Sequence, residues 1–260
     1  MKHAEIRVRF LSVWNGELMR TWGIIPAAGN GTRIQPLAFS KELLPVGSAN
    51  KDSQERPRAV SEYIIERMII AGSSNLCIVL SPGKSDIIRY FGNNYENIPI
   101  CYTIQQNPTG LCDAIFRALP MINNEDVIMV GLPDTVWFPE DGFKRLCGEY
   151  LSFLLFPVDK PELYDAVKIS RSGNVEKIMV KDPNVNEKWV WGAFKMSGKI
   201  YKDLFYLWEK KTIRDEYFGT LVNEYLLSGG KAIGITEGTS YVDVGTINGY
   251  REALKILIRK

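Results

Sequence analysis

Histidine is almost absent from this chain: among 260 residues the one example is His3, in the N-terminal tail. That argues against a Ser-His-Asp triad, a histidine-ligated zinc and a histidine general base in the core. Cysteine is scarce as well. Cys77, Cys101, Cys112 and Cys147 contain no Cys-x-x-Cys pair, so reduced, buried thiols are expected rather than a zinc site or a disulfide framework. Reduced thiols fit a cytoplasmic protein. No apolar run is long enough to span a bilayer, and residues 1–22 lack the apolar core and cleavage site of a signal peptide. A net charge of +2 lacks the basic excess of a nucleic-acid binder. Chemistry must therefore come from carboxylates, lysine, arginine, backbone groups and a hard metal ion.

What is present describes a folded α/β protein. Hydrophobic residues make up 45% and charged residues 24%, the balance of a soluble globular chain. Apolar strand-like runs alternate with helix-like periodicity, which predicts a Rossmann-like, mixed but mostly parallel central sheet flanked by helices. Strands are expected over 22–27, 75–80, 98–104 and 127–130, and helices over 57–71, 85–91, 111–119 and 140–150. The second half predicts strands over 151–157, 166–170, 175–180 and 188–196, then helices over 200–210 and 216–227. Short strands over 231–235 and 240–242 lead into a terminal helix over 247–259. Residues 1–22 read as an N-terminal extension with a start at Met19, and 23–260 as a single domain.

The most informative stretch is residues 23–47. An apolar strand runs into Pro-Ala-Ala-Gly-Asn-Gly-Thr-Arg (26–33), and Ser-Lys-Glu-Leu-Leu-Pro-Val (40–46) follows. Glycines let backbone N–H groups crowd around phosphate oxygens. Arg33 and Lys41 can neutralise the phosphate charge, one as a fork and one as a point. The pattern is not a Walker loop, because Gly29 and Gly31 are not followed by Gly-Lys. It is not a dinucleotide fingerprint either, because Ile34 stands where the third glycine belongs. A nucleoside triphosphate is the expected ligand.

Other candidates lie at strand ends. Asp134 follows a buried strand, where open α/β sheets place ligands. Asp243 follows a short strand and precedes the terminal helix, whose N-cap is more naturally Thr246. Two such carboxylates can share Mg²⁺ with triphosphate oxygens. Gln105 and Gln106 carry amides able to read a base edge, and Gly110 would let a base approach the backbone. Lys181, just past a strand, could meet a sugar phosphate.

Taken together these pieces resemble the sugar-1-phosphate nucleotidylyltransferases, the family of glucose-1-phosphate thymidylyltransferase and bacterial UTP–glucose-1-phosphate uridylyltransferase. The two segments above are joined, in family order, by Gln-Asn-Pro-Thr-Gly-Leu (106–111), Leu-Pro-Asp (132–134), Val-Lys-Asp-Pro (180–183), Trp-Gly-Ala-Phe (191–194) and Val-Asp-Val-Gly-Thr (242–246). The resemblance implies that Ala27, Ala28, Gly29, Gly31 and Thr32 line the nucleotide, while Arg33 and Lys41 bind its phosphates. It implies base contacts from Gln105 or Gln106 and Gly110, Mg²⁺ held by Asp134 and Asp243, and a sugar phosphate met by Lys181 with Gly192 near the sugar. The implied reaction joins a nucleoside triphosphate, dTTP or UTP by preference, to a sugar 1-phosphate, by default glucose 1-phosphate. A homo-oligomer is compatible with it; nucleic-acid and membrane partners are not implied. The chain departs from the pattern at Val180, where relatives often carry a Glu that contacts sugar hydroxyls. Asp182 intervenes between Lys181 and Pro183, and residues 47–58 replace a short turn. The competing readings are a cytidylyltransferase for a non-sugar phosphate or phosphonate, a metal-dependent glycosyltransferase, and a non-catalytic regulator that binds sugar nucleotide.

Overall fold

The computed structural model describes residues 13–14, 17–51, 54–212 and 214–258. Most of the expected N-terminal extension, residues 1–12 and 15–16, lies outside the described residues. Its described part forms a two-rung antiparallel pair, Val13–Trp14 with Glu17–Leu18.

In chain order the elements are β1 (Thr21–Pro26), β2 (Pro45–Lys51), β3 (Gln54–Ala59), α1 (Val60–Ile70), β4 (Asn75–Leu80), α2 (Ser85–Phe91) and β5 (Ile98–Ile104). They continue with α3 (Leu111–Phe116), β6 (Val127–Gly131), β7 (Thr135–Phe138), β8 (Leu151–Pro157), β9 (Asp165–Ile169), β10 (Val175–Val180) and β11 (Trp189–Ser197). Last come α4 (Gly198–Glu209), α5 (Phe218–Leu227), β12 (Ala232–Ile235), β13 (Ser240–Asp243) and α6 (Ile247–Ile258).

The centre of the sheet is the parallel block β6-β1-β4-β5. Its strands are nearly continuous apolar runs because both faces are covered. Alternation still sorts the side chains. Ile24, Cys77, Val79, Ile128 and Val130 face a core with α3, α4 and α5. Ile25, Leu76, Ile78, Leu80 and Met129 face the opposite core with α1 and α2. Beyond β6 the sheet turns antiparallel through β11, which pairs with β8 and β9, while β9 pairs with β10. The expected mixed sheet with mostly parallel central strands is therefore observed. Among the described residues no helix is long and apolar enough to cross a membrane.

Two features depart from the expectation. The helix expected over 140–150 is a short 3₁₀ turn, Gly142–Arg145. Pro139 precedes it, and a Cβ at Gly142 would lie 2.5 Å from the Leu154 side chain, so the backbone must pass close to the sheet. The polar run 47–58, which carries no alternation, folds as the β2–β3 hairpin, with residues 52–53 outside the described set. That hairpin packs with α6 on a third core, whose Val136, Phe138 and Val242 come from a two-stranded ribbon of β7 and β13, with Val244 just beyond it. The ribbon sits at the carboxyl edge of β6 and carries the residues that matter next.

Candidate active site

Leaving β1, the chain is anchored by Ala27, whose N–H donates to Val79 O at 2.8 Å. The loop then opens. A Cβ at Gly29 would meet no atom within 4 Å, so this backbone faces free space. Gly31 has φ of 64° and lies so near Lys41 that a Cβ would sit 2.8 Å from its Cδ. Glycine there satisfies the left-handed backbone and also lets the lysine stem pass. Beneath the loop, the Lys84 ammonium donates to Ala27 O at 2.6 Å and to Glu42 Oε1 at 2.7 Å. This buried pair fixes the loop against the short 3₁₀ turn Lys41–Leu43 that presents Lys41.

The two acids meet through the ribbon. Asp243 ends β13, opposite Thr135, the first residue of β7, so Asp134 and Asp243 are brought side by side. The Val244 N–H donates to Asp134 O at 2.8 Å, and the Gly245 N–H to Asp243 Oδ1 at 2.7 Å. Thr246 caps the terminal helix as expected, accepting from the Gly249 N–H at 3.1 Å. Gly245 measures the closeness of the group. A Cβ there would lie 2.8 Å from Asp243 Oδ1, 3.0 Å from Asp134 Oδ2 and 3.0 Å from Arg33 Nη2.

Each carboxylate carries a cation. Lys41 donates to Asp134 in a pair that is almost wholly buried, and Arg33 donates to Asp243 at 2.9 Å with its own side chain 60% exposed. Burial pushes the Asp134 carboxyl up, but the Lys41 ammonium outweighs it and holds the group below the ordinary carboxylate range. Burial and the neighbouring Asp134 charge push Asp243 the other way, above that range, despite Arg33. The unlike directions follow from placement: Lys41 is enclosed with its acid, whereas Arg33 reaches in from solvent.

All this opens into a cleft of about 510 Å³. Ala28, Gly29, Gly31, Thr32, Arg33, Lys41, Gln105, Gly110, Asp134, Lys181 and Asp243 all line it. Ala27, Gln106 and Gly192 do not. Ala27 is buried beneath the loop, with its carbonyl on Lys84. Gln106 is exposed outside, and Gly192 is packed where a Cβ would strike the Tyr241 ring at 2.6 Å. Gln105 is buried, and its amide nitrogen donates to Asp113 at 2.7 Å and to Gly110 O at 3.1 Å. Gly110 has φ of 113°, and a Cβ would lie 2.5 Å from Glu216 Cα, so the glycine is required by close backbone packing as well.

At the far end stand Tyr164, Asp165, Trp191, Glu216, Tyr217 and Tyr241. Trp191 opens the Trp-Gly-Ala-Phe segment, with no role of its own expected for it, and the sequence singled out none of the others. Lys181 lies among them with φ of 44°, a left-handed conformation costly for a side chain larger than glycine's, and its ammonium sits 4.9 Å from the Tyr217 ring centroid.

Comparison with known sequences gives the family. The nucleotidyl transferase family profile matches residues 22–260. The chain belongs to the nucleotidyl transferase family. Within it, glucose-1-phosphate thymidylyltransferase of Mycolicibacterium smegmatis is 26% identical over 243 residues, spanning 89% of this chain and 80% of the relative. D-glycero-α-D-manno-heptose 1-phosphate guanylyltransferase of Aneurinibacillus thermoaerophilus is 29% identical over 192 residues, spanning 69% and 77%. The fold matches that of UTP-bound UGPase from Acinetobacter baumannii, with a TM-score of 0.74, 19% identity, and coverage of 92% of this chain and 93% of that one.

Proposed function

We propose that this nucleotidyl transferase joins a nucleoside triphosphate to a sugar 1-phosphate and releases pyrophosphate, with dTTP or UTP the favoured nucleotide and glucose 1-phosphate the default acceptor. The observation that carries the reading is the cluster around Gly245, two carboxylates and two cations beside an open glycine loop. Relatives named for thymidylyl and uridylyl transfer to glucose 1-phosphate support the choice of substrates.

The bond that forms joins an acceptor phosphate oxygen to the α-phosphorus of the triphosphate. The bond that breaks leads from that phosphorus to the bridging oxygen, whose electron pair leaves with pyrophosphate. The attacking oxygen is already anionic, so no general base is needed, consistent with a chain whose one histidine is His3. The protein's task is to hold two mutually repelling anions in line and spread the charge that develops. Backbone N–H groups at 29–32 would cradle the phosphates. Arg33 is exposed enough to turn from Asp243 to a phosphate, and Lys41 would move a short distance from Asp134 to the α-phosphate. Lys181 would hold the acceptor phosphate.

Asp134 and Asp243 would hold Mg²⁺. The donors suit it: two carboxylates brought so close at the edge of the cleft that a Cβ at Gly245 would lie 2.8 Å from one and 3.0 Å from the other. Such a pair fits a hard cation that takes its other oxygens from phosphate and water. When bound, the ion supplies positive charge to the triphosphate oxygens.

The test is pyrophosphate release from purified protein with Mg²⁺, each common nucleoside triphosphate in turn, and a panel of sugar phosphates and non-sugar phosphates. Turnover with a sugar 1-phosphate supports the reading. Turnover with only a non-sugar phosphate replaces the acceptor, and none with any pair removes the assignment.

A further inference from the structure

The mechanism above leaves Asp165 and Glu216, both acidic side chains of the cleft, without a task. Asp165 opens β9, directly opposite Val180, the last residue of β10. Lys181 follows, and its N–H donates to Tyr164 O at 3.2 Å, so the carboxylate and the ammonium occupy adjacent rungs at the acceptor end of the cleft. Gly219, in the first turn of α5, closes over it: a Cβ there would lie 3.1 Å from Asp165 Oδ2.

Burying a carboxylate is unfavourable unless something donates to it. Here burial pushes Asp165 up to about 6, with Lys181 the opposing cation and Asp215 adding like charge, and the buried Trp191 Nε1–H beside it has no hydrogen-bond partner among the described residues. Lys181 is the nearby cation, yet the proposed reaction commits it to the acceptor phosphate, leaving the carboxylate short of a strong donor once that phosphate binds. Tyr164, Trp191 and Tyr217 line the same space. A carboxylate so placed favours an acceptor phosphate ester that brings donors of its own.

We infer that Asp165 is a specificity-determining residue whose carboxylate accepts hydrogen bonds from hydroxyl or ammonium groups on the acceptor held by Lys181. It takes from β9 the part that the apolar Val180 across the strand pair cannot take. The inference rests on the proposed reaction only for the role of Lys181 as the acceptor's phosphate site.

The experiment separates the two. Binding of glucose 1-phosphate, glucosamine 1-phosphate and orthophosphate to the full-length protein is measured by calorimetry, alongside binding of UTP and dTTP. Wild-type protein is expected to prefer at least one of the two esters to orthophosphate by tenfold or more, and which of them wins tells hydroxyl from ammonium recognition. Asp165→Leu is expected to lose that preference while affinity for orthophosphate and nucleotide stays within about twofold. Asp165→Asn, nearly isosteric, is expected to lose most of it and serves if the leucine variant does not fold. The inference is overturned if wild type binds neither ester more tightly than orthophosphate, if the variants keep the preference, or if nucleotide affinity falls in step. Failure to bind any nucleotide would instead overturn the proposed reaction and leave the ester comparison standing.

Discussion

Single residues in this protein are placed by what their neighbours leave open. Gly245 has no positive φ to explain it, yet a side chain there would enter the space shared by Asp134, Asp243 and Arg33. Gly245→Ala is expected to lower pyrophosphate release by on the order of 10²-fold or more, with circular dichroism and Tm close to wild type. Asp134→Asn and Arg33→Ala are each expected to cost about 10²–10³ in rate, as the loss of one charge contact does elsewhere. Near-normal turnover in either would contradict their roles.

Asp165 yields a pH prediction. Its folded pKa of about 6 lies above the ordinary value, so the folded state holds the proton more tightly than the unfolded chain. Stability therefore falls as pH rises from about 4 to 6, and the full cost remains above that range. The groups facing it are Lys181, Asp215, Tyr217, Tyr241 and Cys112. Asp165→Asn should raise stability at neutral pH by on the order of 1–3 kcal/mol, with the gain shrinking toward pH 4, measured by thermal unfolding across pH.

At the scale of elements, two buried cations tie the cleft to the scaffold. Arg67 on α1 is 1% exposed and donates from Nε to Trp137 O at 2.9 Å and from Nη1 to Tyr63 O at 2.7 Å. Burial pushes its guanidinium down to about 10. It joins α1 to β7, and so holds the ribbon that carries both acids. Arg67→Ala should destabilise the fold by about 3 kcal/mol or more, because it strips donors from buried carbonyls and leaves a void. Lys84→Met should cost a similar ~3–5 kcal/mol by leaving the Glu42 carboxylate buried and unpaired, read by urea unfolding.

The elements also show what a sequence can disclose. The parallel strands were legible because burial on both faces demands long apolar runs, and the glycine loop because its backbone needs are local. The β2–β3 hairpin was not, since its polar residues carry no alternation. The helix over 140–150 was not observed because it contains a glycine, Gly142, pressed against Leu154. Asp134 and Asp243 were visible as single acids. Their adjacency depends on the Thr135–Asp243 register across more than a hundred residues, which no local pattern encodes. Tyr164, Asp165 and Tyr217 were missed for the same reason: they share a wall with Trp191 only after β9, β11 and the start of α5 have packed.

At the scale of the molecule, the sheet acts as a rigid floor with two cores, and a third core seats the ribbon at its edge. Ligand binding should stabilise this whole. With UTP or dTTP and Mg²⁺ at ~100 times Kd, binding adds about 2.7 kcal/mol, which for a chain of this size raises Tm by roughly 5–10 °C. Chelation with EDTA should remove most of that gain. The pairing of Asp134 with Lys41 and of Asp243 with Arg33 leaves that group of four without net charge, so a triphosphate and a divalent ion are expected to bind there together more tightly than either does alone.

The most direct test of that arrangement replaces Mg²⁺ with Mn²⁺ and follows the free ion by electron paramagnetic resonance as UTP or dTTP is titrated with wild-type protein, Asp134→Asn and Asp243→Asn. One ion per chain, bound beyond the nucleotide's own affinity in wild type and at least tenfold more weakly in both variants, is the expected result. Equal Mn²⁺ binding by all three proteins would contradict the assignment of these carboxylates as the metal holders of a nucleotide site.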